Sequence, residues 1–135
     1  MGIKGTYNNL LAIVLFFGLV AVLSAQEYVV ASYYTQPYTP SACFGLEDKG
    51  VALISLSDKL WDGGKACGSR YFLNCKPGND CIEHLGLGSA AGIVAMVVDN
   101  CGDCGGAAML LSEEVFIGLG KLEVGTVLVS YQKSM

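Results

Sequence analysis

Two kinds of apolar pattern divide the chain. Residues 10–23 run LLAIVLFFGLVAVL without a single charge. Beyond Glu27 the apolar stretches are shorter and are broken by glycine, proline and polar residues. Segment 28–34 (YVVASYY) is β-branched and aromatic and reads as a first strand. Segments 51–56, 70–75 and 107–111 read the same way, and 93–98 (IVAMVV) is the most hydrophobic and so the expected central strand. At 126–131 Val127, Val129 and Tyr131 alternate with Thr126, Leu128 and Ser130, the period of two expected of a half-buried strand. Two short helices are expected. Ser57 would N-cap DKLWDGG, which Gly63 and Gly64 end. Ser112 would cap a helix with Glu113 and Glu114 at its positive end, an apolar face of Val115, Phe116 and Leu119, and a stop at Gly120. The KPGND turn ahead of Cys81 predicts a hairpin clipped between Cys75 and Cys81. Trp61, on the first short helix, is expected in the core. Six strands, two short helices and 18 glycines predict an all-β domain, a sandwich or a barrel.

The long apolar run changes the picture of where this domain works. Lys4 precedes it and Ser24-Ala25 ends it, the layout of a secretory signal peptide spanning 1–25. A retained span needs about 20 apolar residues, more than this run supplies. The folded domain would then be 26–135, secreted and free of the membrane. Without Lys4 the 8 basic side chains become 7 against 12 acidic ones, a net charge of −5. An acidic chain with no Lys/Arg cluster excludes nucleic acid as a partner and disfavours acidic glycans and anionic membranes.

All six cysteines follow residue 25: Cys43, Cys67, Cys75, Cys81, Cys101 and Cys104. An even number in a small secreted domain reads as three disulfides, with 15 pairings open to the sequence alone. Cys101-x-x-Cys104 could be a redox pair, half of a zinc site or a structural staple. A redox CxxC opens a helix that activates its first thiol, yet here GGAAMLL follows. Cys75 and Cys81 are too far apart for a zinc knuckle, and the lone His84 adds little. The staple is the reading these residues favour, with no metal and no cofactor.

Taken together, ASYYTQPYTPSACFG, SLSDKLWDGGKACGSRYFLNC, VAMVVDNC and LLSEEVF…VGTVLVSY resemble the plant natriuretic peptide and blight-associated protein group. These are small secreted relatives of the expansin N-terminal domain and of glycoside hydrolase family 45. The resemblance implies a six-stranded double-psi β-barrel with two short helices, an open groove on one face, and pairings Cys43–Cys67, Cys75–Cys81 and Cys101–Cys104. It also implies that Tyr33 and Tyr34 match groove positions. Tyr38 joins them as a candidate because a flat aromatic face with a polar tip suits a sugar ring. Adjacent strand residues alternate faces, so at most one of Tyr33 and Tyr34 is expected on the groove.

In the hydrolase relatives two carboxylates flank the glycosidic bond. Asp99 matches the first, but the second position falls on Met109 or Leu110, and an aliphatic side chain moves no proton. Neither Asp103 nor Glu113 sits at the matching position. The expected protein is therefore not an enzyme. Asp99 is read either as a strand-end acid bonding a neighbouring turn or as a polar contact on a groove floor.

Two functions fit these residues. The leading one is a secreted, apoplastic, monomeric signalling or defence protein of the natriuretic-peptide type, affecting water and ion homeostasis or stress response. Its partner would be a cell-surface receptor, reached through segment 29–64. The alternative is an expansin-like module that binds cell-wall polysaccharide without hydrolysing it.

Overall fold

The structure is a computed structural model, and it describes residues 27–78, 80–82 and 92–134. The expected signal peptide, its cleavage site, His84 and the GSAA lead into the fourth strand lie outside the described residues.

Six strands form a closed barrel: β1 (Val29–Tyr34), β2 (Leu53–Ser57), β3 (Arg70–Cys75), β4 (Ile93–Gly102), β5 (Met109–Ser112) and β6 (Val127–Ser134), in the order β1-β5-β2-β4-β3-β6. Pairs β1–β5 and β2–β4 are parallel and the other four antiparallel. Two short helices, α1 (Asp58–Trp61) and α2 (Glu113–Ile117), follow β2 and β5. The period-two pattern sets the interior: Ala31, Ile54, Leu56, Leu73, Val97, Met109, Leu111 and Val129 fill it at no more than 1% exposure. Val115, Phe116 and Leu119 of the α2 region close one side of this core, and half-buried Trp61 packs against it. A satellite cluster of Tyr38, Leu53 and Val98 forms outside the barrel wall, joined by Tyr34, Phe44 and Met96. It is the underside of the loop between β1 and β2.

The cysteines are joined Cys43–Cys67, Cys75–Cys81 and Cys101–Cys104, with Cα separations of 5.5, 5.8 and 5.0 Å. Around the last pair, Gly102, Cys104, Gly105 and Gly106 all take positive φ, which is why glycine recurs in GDCGG. A 3-10 turn occupies the place where a redox CxxC would start a helix.

Three expectations are corrected. Cys75 and Cys81 do not close a hairpin: Cys81 bridges to Gly120, and Lys76 N–H donates to Leu128 O on β6. Neither Ser57 nor Ser112 caps its helix through the side chain. The Ser112 hydroxyl is fully buried, donates to Val51 O and accepts from Leu53 N–H, a non-local use that outcompetes capping. Helix α2 ends at Ile117 with Gly118 as its C-cap, before Gly120.

Candidate functional site: the outer face around Asp99

Asp99 lies near the end of β4, just past a register shift that opposes it to Ser55 instead of continuing the Val97–Ile54 rung. The shift turns Asp99 to the outer face, where it is half-buried. Its Oδ1 accepts from Ala42 N–H at 3.1 Å and from Asn100 N–H at 3.0 Å. Cys43 N–H donates to Val98 O beside it, so strand end and disulfide-bearing loop are tied at one point. Next to it the Asn100 amide donates to Leu56 O and to Asp58 Oδ1.

The register also settles which residue faces Asp99 across the wall. Asp99 pairs with Ser55, and Ser55 pairs with Leu110. Leu110 therefore lies two strands away, roughly 9–10 Å at the usual strand spacing, near the upper limit of the separation between paired carboxylates of an inverting hydrolase. It is half-buried and outward, whereas Met109 is fully buried in the core. The position opposite Asp99 thus carries an isobutyl group.

The tyrosines separate as strand alternation requires. Tyr33 turns to the main core, its ring 4.9 Å from that of Phe116, so it is not a groove residue. Tyr34 stays on the outer side with Tyr38, edge to face at 5.1 Å. Burial, and after it the carboxylate of Asp99, push the Tyr34 hydroxyl above its ordinary range. That hydroxyl is buried without a hydrogen-bond partner among the described residues. Tyr38 is 9% exposed, and its hydroxyl donates to Glu114 Oε2 at 2.5 Å and accepts from Glu113 N–H at 3.2 Å. Burial, and next the Glu114 bond, push it up to about 12. The Gln36 amide donates to the other Glu114 oxygen at 3.3 Å. Tyr38 therefore clamps the loop to α2 and offers no open sugar platform. Glu114, the other half of that clamp, gave no sequence signal beyond its place in SEE.

What remains open on this face is the half-buried trio Tyr34, Leu110 and Asp99. Tyr34 pairs with Ser112, which sets Leu110 diagonal to it at about 7–8 Å. An aromatic edge, an aliphatic patch and a carboxylate on one face can contact a sugar's C–H face and accept from its hydroxyls. They cannot supply the acid and base of hydrolysis. Among the described residues no group of three or more His, Cys, Asp or Glu could hold a metal ion.

No family model matches the chain. It is 26% identical over 129 residues to EG45-like domain containing protein 2 of Arabidopsis thaliana, covering 96% of this chain and 97% of that protein. It is also 26% identical over 119 residues to an EG45-like domain containing protein of Citrus jambhiri, covering 85% and 89%. A mutant Clavibacter michiganensis expansin, crystallised with cellohexaose, superposes with a TM-score of 0.63 at 20% identity over 82% of this chain. The chain carries an expansin-like domain. It spans about half the length of that expansin, 51%. The expansin-like barrel also superposes on the Streptomyces papain inhibitor, with a TM-score of 0.53 at 17% identity over 80% of this chain and 94% of the inhibitor.

Proposed function

We propose that the protein is a secreted, non-hydrolytic glycan-binding domain that holds a neutral β-glucan chain across the face of Tyr34, Leu110 and Asp99. The observation that carries this reading is the Asp99–Ser55–Leu110 rung. It keeps one carboxylate for hydroxyl recognition and sets an aliphatic side chain where a second would be needed. The cellohexaose complex of the expansin it superposes on supports the ligand class. The two parallel pairs, β1–β5 and β2–β4, support the double-psi form of the barrel.

The test is retention of the oxidised protein on insoluble cellulose and mixed-linkage β-glucan, beside Asp99→Asn. That variant keeps an oxygen for Ala42 N–H, so the loop stays anchored. Retention that falls about tenfold in Asp99→Asn, with no reducing sugar released by either protein, is expected. Equal retention of both proteins, no retention of either, or turnover that vanishes with Asp99→Asn would each overturn the reading.

The signalling reading has one observation in its favour. Leu46, in the loop of segment 29–64, is 81% exposed, a large apolar side chain free to meet a receptor. Leu46→Asp would then abolish a protoplast volume response while leaving glycan retention intact.

A further inference from the structure

On the outer wall, further back along β4 from Asp99, β3 and β4 bound a shallow cavity of about 250 Å³ with the loop before β2. Val94 and Met96 contribute an apolar floor, and Lys49 and Arg70 stand on its rim. Arg70 is the chain's one arginine. It is exposed, and among the described residues it has no ion pair. Lys49 is held in place from two sides, by Glu47 at 2.8 Å and by the Phe44 ring, 4.5 Å from its ammonium. Glu47 neutralises one of the two cations, which leaves the cavity with a net single positive charge on a protein that is acidic as a whole. The register shows how the fold makes this pair: Arg70 opposes Met96, and Met96 opposes Leu53 just after the loop that carries Lys49.

We infer that this cavity is an anionic subsite that takes the carboxylate of an acidic sugar, a uronate residue of a wall glycan. A guanidinium fork matches a carboxylate in two parallel hydrogen bonds, and Lys49 adds a second donor. The apolar floor accepts the C–H face of the ring, and the volume suits about one sugar residue. Net charge disfavours acidic glycans in the abstract, but recognition at contact distance follows the local charge, because distant acids are screened beyond about 8–10 Å. Met96 on the cavity floor stands three residues before Asp99 on β4, so the subsite lies about 10 Å along the strand from Asp99. The choice of a sugar as the carrier of the carboxylate rests on the glycan-binding reading above.

The experiment is calorimetric titration of the oxidised protein with trigalacturonate and, separately, with cellohexaose, in the wild type and in Arg70→Gln. Arg70→Gln keeps a polar hydrogen-bonding side chain but removes the charge and the guanidinium fork. Trigalacturonate should bind, weaken with added salt, and lose at least about tenfold in affinity in Arg70→Gln, with cellohexaose binding unchanged. Absent trigalacturonate binding, or equal affinity in wild type and variant, overturns the subsite. Succinate binding as tightly as trigalacturonate with the same dependence on Arg70 would overturn the sugar and leave a plain carboxylate site. Cellohexaose binding that persists while trigalacturonate fails sinks this inference alone; loss of both sinks the glycan-binding reading as well.

Discussion

Substituting Tyr38→Phe isolates the clamp that holds the β1–β2 loop against α2. The ring stays on Leu53 and Val98, so the satellite cluster is not opened. Only the hydroxyl goes, and with it the bond to the Glu114 carboxylate and the acceptor for Glu113 N–H. A hydrogen bond to a charged group contributes about 1.5–3 kcal/mol when sheltered, and Glu114 is exposed, so a loss of about 1–2 kcal/mol is expected. For a domain of this size each kcal/mol shifts Tm by roughly 4–8 °C. The effect should depend on pH. The Tyr38 bond holds the Glu114 carboxyl below its ordinary 4.5 in the folded state. A carboxyl depressed in this way contributes fully above its unfolded pKa and loses the contribution as pH falls through the folded value. Thermal unfolding followed by Trp61 fluorescence should therefore separate wild type from Tyr38→Phe most at pH 7 and narrow the gap as pH falls below 4.5, down to the part owed to the Glu113 N–H bond. An equal gap at all these pH values, or none at pH 7, would refute the clamp.

Asp99→Ala should raise hydrogen exchange at the Ala42 and Cys43 amides, because it removes the acceptor at the foot of that loop; unchanged protection there would mean the disulfide alone orders it. Gly120→Ala would set a Cβ 2.6 Å from Val127 Cγ1 and 3.2 Å from Asp80 O, so urea unfolding should show a loss of about 1–3 kcal/mol. Replacing Cys43 and Cys67 together by alanine reopens a link across 24 residues and should cost about 3 kcal/mol in the same assay. The Cys101/Cys104 pair spans only 3 and should cost about half as much. A CxxC variant that lost more than the Cys43/Cys67 one would reverse that order.

The strands were legible from the residue pattern alone, because each must bury one face and the period of two is visible without knowing its partner. Val127 and Val129 of β6 point into the core as their alternation required, and Arg70–Cys75 begins and ends where its residues suggested. The same local logic found Val115, Phe116 and Leu119 as the apolar face at α2, and found no α-helix opening at the CxxC. Local logic failed where a side chain had a better partner far along the chain. Ser112 looked like a cap but bonds across to Val51 and Leu53, 61 and 59 residues away. KPGND looked like a hairpin turn, but β3 finds β4 and β6 instead. Tyr38 looked like a sugar platform until Glu114, 76 residues on, claimed its hydroxyl. The faces of the barrel were also beyond the sequence. Only the register shift in β2–β4 turns Asp99 outward opposite Leu110, and only the pairing of β4 with both β3 and β2 brings Arg70 to Lys49. Periodicity is written in neighbouring residues, whereas a site is made of residues that become neighbours when distant strands pair.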